Sequence, residues 1–269
     1  MSIADLPNAL GDRERFDQQM AGRTPAVFLD YDGTLTPIVD RPEAAVISQR
    51  MRDAVRALAL RCTVCVVSGR DRPVVQELMG IDDLVVAGSH GFDIWDPRTG
   101  TLEHDAATGF EPLLAEITDR LRTKAAAIEG ALVEPKRASV ALHYRLVAPE
   151  HRPAVAAVLD QVLAEHPDQL KVTPGKLVYE VQPKIDWHKG KAVLYLIAAL
   201  HLDGDGIVPL YLGDDITDED AFRALSGRGI GIVVADLENN PREATRDTAA
   251  DFALNSMGEV ERFLNTLAH

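Results

Sequence analysis

Cysteine, positive charge and long apolar runs are all scarce in this chain of 269 residues. The only cysteines, Cys62 and Cys65, stand in C-T-V-C. Two thiols make no disulfide framework, and the spacing would suit a redox pair or half of a zinc site. They fall, however, around the run 63–67, which reads as a buried strand. Positions i and i+3 of a strand point to opposite faces, so the reading is two inert core thiols. Lys and Arg number 28 against 42 Asp and Glu, a net charge of −14. Such a field repels polyanions and argues against nucleic acid as the main partner. A small anion remains acceptable, because a bound cation inverts the local sign. The longest apolar stretch, 192–200, is too short to span a bilayer. The first twenty residues lack the apolar centre of a secretory signal, so a cytoplasmic location is expected. The oligomeric state is not legible.

Hydrophobic residues make up 46% and charged residues 26%, ordinary for a soluble globular enzyme. Apolar runs at 26–29, 63–67 and 83–87 alternate with helical patterns at 49–60 and 73–79. This rhythm predicts a parallel sheet with helices on its faces. It breaks at a hairpin, 92–95 and 101–104 around D-P-R-T-G. Then follow a helix at 111–128, strands at 131–134 and 139–145, a helix at 149–165, and strands at 170–173 and 176–181 around P-G. The rhythm resumes with a helix at 189–200, a strand at 208–212, a helix at 218–224 and a final strand at 229–234. The expectation is an α/β core, 1–107 and 184–269, interrupted by an α+β insert, 108–183. The crossings near 104–109 and 182–187 are the expected hinges, and 1–24 a lead-in helix or a frayed end.

The chemistry gathers at strand ends, where open parallel sheets bind ligands. The run V-F-L-D-Y-D-G-T-L-T-P delivers Asp30 and Asp32 just beyond an apolar strand. A calcium loop would need further oxygen ligands and a closing Glu, and Arg41 stands where that Glu belongs. A second acidic cluster, L-G-D-D-I-T-D-E-D, follows the strand at 208–212. Helix capping accounts for Asp218 to Asp220 but not for Asp214 and Asp215 at the strand end. So many carboxylates repel one another without a cation, and hard oxygen ligands suit Mg²⁺. Ser68 in S-G-R offers a hydroxyl and nearby N–H groups to a phosphoryl group, and Lys189 in W-H-K-G-K a positive charge.

This ordered set resembles the haloacid dehalogenase superfamily, which implies a Rossmann-like parallel-sheet core with an inserted α+β cap. The resemblance makes Asp30 the nucleophile and Asp32 the general acid/base, with Ser68, Lys189, and Asp214 with Asp218 as the later motifs. Within that superfamily the chain is similar to trehalose-6-phosphate phosphatases. The matching pieces are D-Y-D-G-T-L-T-P, V-S-G-R, A-G-S-H-G, A-L-H-Y-R, G-K-L-V-Y-E-V-Q-P, K-G-K-A and L-G-D-D-I-T-D-E-D-A-F. The similarity implies Mg²⁺ on Asp30, the Asp32 carbonyl and Asp214, with Asp215 and Asp218 behind them or orienting Lys189. It also implies hydrolysis of trehalose 6-phosphate, the last step of trehalose biosynthesis. Lys176 and Glu180, four apart on one expected strand, would share a face, and the similarity implies that they grip the glucose unit lacking phosphate. His143 and Arg145 on another strand, Arg70, and His90 with Gly91 are further substrate-binding candidates. A phosphatase of another sugar phosphate and a phosphosugar mutase remain open on motifs alone; a non-enzymatic sugar-phosphate sensor should have lost a carboxylate, whereas Asp30, Asp32, Ser68, Lys189 and Asp214 are all present.

Overall fold

Alternate residues of each short apolar run feed two separate core layers. The computed structural model describes residues 1–39, 41–102 and 109–269. The chain forms two compact units, Met1–Leu102 with His188–His269, and Glu103–Trp187. In the first unit the strands are β1 (Thr24–Leu29), β2 (Val64–Val67), β3 (Val85–Gly88), β4 (Asp93–Asp96) and β5 (Gly100–Leu102). After the four strands of the second unit, β6 (Leu132–Pro135), β7 (Val140–His143), β8 (Leu170–Gly175) and β9 (Val178–Pro183), come β10 (Ile207–Gly213), β11 (Ile230–Val234) and β12 (Phe252–Leu254). They build one sheet in the order β12-β11-β10-β1-β2-β3-β4-β5, parallel from β12 to β3 and antiparallel beyond.

The helices of this unit are α1 (Arg13–Met20), α2 (Gln49–Ala59), α3 (Arg72–Met79), α6 (Lys189–Ala199), α7 (Glu219–Leu225) and α8 (Met257–Ala268). Val27, Leu29, Val64, Val66, Leu210 and Leu212 enter one layer with Val55 and Leu58 of α2 and Phe263 of α8. Ala26, Phe28, Cys65, Val67 and Tyr211 enter the other, with Val193 and Leu196 of α6 and Phe222 of α7. This is the two-residue period of a strand expressed as packing. It also separates the cysteines, since Cys62 packs against the first layer and Cys65 lies in the second. Both are free thiols, and burial raises each, Cys62 to about 11.

Of the two expectations for 1–24, the lead-in helix is found, α1, and the segment is anchored: the Ile3 amide donates to the Arg246 carbonyl at 3.0 Å and the Ala9 amide to the Ala253 carbonyl at 3.0 Å. Phe16 of α1 meets Phe252 and Phe263 edge-on at 5.5 and 5.2 Å. Beyond β11 the chain adds β12, whose three-residue run F-A-L is too short to show a period, and α8, which motif reading did not single out although Val260, Phe263 and Leu264 stand at helical spacing behind the Ser256 cap.

The second unit has a four-stranded antiparallel sheet in the order β6-β7-β9-β8. Leu114, Ile117 and Leu121 of α4 (Glu111–Ala125) and Val155, Leu159 and Val162 of α5 (Arg152–Ala164) cover Val140, Leu142 and Val181. Here two strand assignments are corrected. Register pairs Pro174 with Tyr179 and Gly175 with Val178, so the turn is Lys176–Leu177, with Leu177 at φ 65°. Pro174 stays in β8 because an edge strand tolerates a residue without an N–H. Lys176 therefore lies in a turn and does not share a strand face with Glu180. Likewise β7 ends at His143, and Arg145 lies in the turn beyond it. The hinge expected at 104–109 and the strand end at 103–104 fall outside the described residues, Gly109 excepted. No helix among the described residues is long and apolar enough to cross a membrane.

Candidate active site

Parallel pairing of β1 with β10 places Leu29 opposite Leu212, and the Asp30 amide extends the ladder to the Leu212 carbonyl at 2.9 Å. Asp30 and Asp214 therefore leave the sheet side by side. Carboxylate oxygens of Asp30, Asp214 and Asp218 all lie within 4.8 Å of one another, each residue buried. Lys189, the first residue of α6, is buried among them and donates to Asp30 Oδ1 at 2.8 Å and to Asp218 Oδ1 at 2.7 Å. A cation at a helix N-terminus opposes the macrodipole, and the two carboxylates offset that cost.

Lys189 pairs with Asp30 and Asp218, and the third buried carboxylate, Asp214, stands beside them. Burial, with Asp218 and Asp214 adding to it, outweighs the attraction of Lys189 and holds the Asp30 carboxyl well above its ordinary value. Burial alone would lower Lys189, but Asp218 and Asp30 hold it well above its ordinary value, so it stays charged. The excess negative charge and the all-oxygen donor set fit a hard divalent cation.

The acidic loop is held from several sides. Asp218 Oδ2 accepts the amides of Asp214 and Asp215 at 3.0 and 2.9 Å, and its Oδ1 accepts the Tyr211 hydroxyl at 2.6 Å as well as Lys189. Asp215 turns away, its Oδ1 accepting the Ile216 amide at 2.7 Å. Arg246 Nη2 donates to the Asp214 carbonyl at 2.9 Å. Gly33 has φ 85°, and a β-carbon there would stand 2.1 Å from Asp214 Oδ2. The turn after Asp32 thus needs glycine both for its backbone and for the room it leaves Asp214.

Asp32 sits beside this group. Arg70 grips it in a fork, Nε to Oδ2 at 2.6 Å and Nη2 to Oδ1 at 2.7 Å, with the guanidinium 5.7 Å from the Tyr31 ring centre. Ser68 is buried after β2, its Oγ accepting the Arg70 amide at 3.1 Å and its carbonyl the His90 amide at 2.8 Å. Ser89 and His90 both have positive φ, 49° and 58°, and Gly91 follows at 91°. The His90 ring fills the space over Gly69, where a β-carbon would meet it at 2.7 Å. The S-H-G turn is thereby locked to the S-G-R loop.

In the second unit Glu180 is buried and accepts from Lys136 Nζ at 3.1 and 3.0 Å and from the Ser139 hydroxyl. His143 Nε2 lies 2.8 Å from Glu134 Oε2, and Arg145 donates to the Lys176 carbonyl at 2.7 Å. The structure thus brings Asp30, Lys189, Asp214 and Asp218 together, sets Asp32, Arg70, Ser68 and His90 around the neighbouring loops, and puts His143, Arg145, Lys176 and Glu180 in the other unit.

Motif reading did not single out Tyr211, Arg246, Lys136 or Ser139. For Tyr211 one signal existed, a polar-tipped aromatic in the strand I-V-P-L-Y-L-G just before the acidic loop. The others lie far in sequence from their partners.

The family described as Trehalose-phosphatase matches residues 28–256. The trehalose 6-phosphate phosphatase RA3 of Zea mays is 40% identical over 278 residues, covering 98% of this chain and 75% of its own. Two Mycobacterium tuberculosis proteins called uncharacterized glycosyl hydrolases are 41% identical over 270 residues; they cover 99% of this chain, which spans only 20% of their length. Among solved structures, the C-terminal domain of Candida albicans trehalose-6-phosphate phosphatase superposes with a TM-score of 0.83 at 25% identity, covering 99% of both chains. The fold is that of haloacid dehalogenase-like hydrolases. The chain belongs to the trehalose-phosphatase family.

Proposed function

We propose that the chain is a Mg²⁺-dependent phosphatase that hydrolyses trehalose 6-phosphate to trehalose and phosphate through an aspartyl-phosphate on Asp30. The observation that carries this reading is the buried Lys189 held at 2.8 Å from Asp30 beside Asp214, at the ends of two adjacent parallel strands.

In the first half-reaction an Asp30 carboxylate oxygen bonds to phosphorus and the bond from phosphorus to the sugar oxygen breaks. Lys189 offsets the charge of the phosphoryl oxygens, so that a carboxylate can approach a dianion. Ser68 donates its hydroxyl to one of those oxygens. Asp32 gives its proton to the departing sugar oxygen, then takes one from the water that attacks the aspartyl-phosphate. Phosphate leaves, and Asp30 and Asp32 return to their starting forms. Because Arg70 occupies both Asp32 oxygens, the proton-donating step requires that fork to open. A divalent cation, Mg²⁺ from the hardness of the donors, would be held by Asp30, Asp214 and the Asp32 carbonyl, and supplies charge neutralisation at the phosphoryl group. Asp218 is left to orient Lys189, its four acceptor directions being taken.

Sugar selectivity is assigned to the α+β unit, with Glu180 and Lys176 as the leading candidates and His143 and Arg145 as further ones; His90, Gly91 and Arg70 are the substrate-binding candidates of the core unit. A phosphate-release screen over sugar phosphates, with and without Mg²⁺, tests the whole reading. Turnover should be greatest on trehalose 6-phosphate, require the metal, and vanish in Asp30→Asn. Full activity in Asp30→Asn or in excess chelator would sink the mechanism, and a preference for another sugar phosphate would sink the substrate.

A further inference from the structure

We propose that Tyr211 is a positioning residue for Lys189, acting through Asp218. The inference rests on the phosphatase reading above, in which Lys189 meets the phosphoryl group. Tyr211 is the fifth residue of β10, and its neighbours Leu210 and Leu212 point into the α2–α8 layer. The strand period therefore sends Tyr211 into the layer beneath α6 and α7, where Lys189 begins α6 and Asp218 immediately precedes α7. The side chain is fully buried, with its ring edge-on to Phe222 at 5.7 Å.

Packing alone does not call for the hydroxyl. Phenylalanine would fill the same volume and would not have to shed water from a phenol. The hydroxyl is nonetheless spent on one atom, Asp218 Oδ1, at 2.6 Å, the oxygen that also takes Lys189 at 2.7 Å. Asp30, Lys189, Asp218 and Tyr211 thus form an unbroken buried chain with steps of 2.8, 2.7 and 2.6 Å. The phenol shares the charge of Oδ1. Without it that oxygen has Lys189 as its remaining described partner, and in a low-dielectric interior the ammonium is drawn towards Asp218 and away from Asp30. Tyr211 balances where the ammonium rests between two carboxylates. The other oxygen, Oδ2, keeps its two amides, so the backbone of Asp214 and the cation site are untouched by the loss.

The test is Tyr211→Phe in the full chain, with kinetics on trehalose 6-phosphate and on p-nitrophenyl phosphate, Mg²⁺ binding by calorimetry, and thermal unfolding. The kcat should fall roughly ten- to hundredfold on both esters, the scale of one hydrogen bond to a charged group. KM and the Mg²⁺ affinity should each stay within about twofold. Asp218→Asn should show a comparable loss, and Tyr211→Phe should add little to it, because both act on Lys189 through one oxygen. An unchanged kcat in Tyr211→Phe overturns the proposal, as does Mg²⁺ binding that weakens in step with kcat, or a melting temperature that collapses together with activity. A wild-type enzyme active on p-nitrophenyl phosphate but not on trehalose 6-phosphate overturns the substrate reading alone, and the Tyr211 result on the first ester still decides this proposal. A wild type inactive on both overturns both.

Discussion

Gly33→Ala separates a local backbone cost from a catalytic one. At φ 85° a side chain is strained, which costs about 1–2 kcal/mol. For a chain of this size that lowers the melting temperature by only a few degrees, roughly 2–8 °C. The second effect is steric and reaches the site. The new β-carbon would stand 2.1 Å from Asp214 Oδ2 and 2.3 Å from Asp214 Cγ, whereas ordinary contact begins at 3.4 Å. The carboxylate must retreat by the difference, 3.4 − 2.1 = 1.3 Å. Asp214 is held by its amide, its carbonyl and the fold of its strand end, so the shift is taken up at the oxygens proposed to bind the cation. A misplacement of about 1 Å at a reacting centre costs on the order of a hundredfold. The control is Gly22→Ala, where φ is 70° and nothing lies within 4 Å of the new β-carbon. Phosphate release, Mg²⁺ calorimetry and thermal unfolding are measured on both variants. Gly33→Ala should lose about two orders of magnitude in kcat/KM and weaken Mg²⁺ binding, while Gly22→Ala loses only stability. Gly33→Ala with kcat/KM within about twofold of wild type would refute the crowding of Asp214 as the cause.

Further outcomes follow from the same coordinates. Burial first, then Asp218 and Asp214, raise the Asp30 carboxyl above its unfolded value of 3.8. The metal-free folded state therefore holds that proton more tightly, and its stability falls as pH rises through the raised value. A cation competes with the proton, so Mg²⁺ should raise the melting temperature more at about pH 8 than at about pH 5; equal shifts would contradict this. Lys136→Ala removes an ammonium from the buried Glu180 carboxylate, which keeps the Ser139 hydroxyl, and should cost roughly 3 kcal/mol by denaturant unfolding. Adding Glu180→Gln should recover part of that loss, and a fully additive double variant would argue against the pair. Asp30→Asn should remain folded by circular dichroism while phosphate release disappears, since it removes a charge that burial disfavours.

How far the sequence reaches depends on the range of the forces involved. Strand alternation and the loops that follow are local, so 26–29, 63–67 and 208–212 are legible, and with them Asp30, Asp32, Ser68 and Asp214 at the strand ends. The same local logic misplaced the hairpin turn at Pro174–Gly175, because edge position, which lets a strand carry proline, is a property of the sheet. It also missed β12, since the run F-A-L becomes a strand only by pairing with β11, whereas α8 carried a local signal, the Ser256 cap and Val260, Phe263 and Leu264 at helical spacing.

The sequence by itself therefore determined which residues are candidates for the chemistry and in what order they occur along the chain. Tertiary structure decided their company: that Lys189 stands between Asp30 and Asp218, that Arg70 forks onto Asp32, that Lys136 neutralises Glu180, and that Tyr211 reaches Asp218. Lys189 and Asp30 are separated by 159 residues. Pairing over such a distance depends on which strands and helices become neighbours, and strand order across a parallel sheet is set by packing of the whole core.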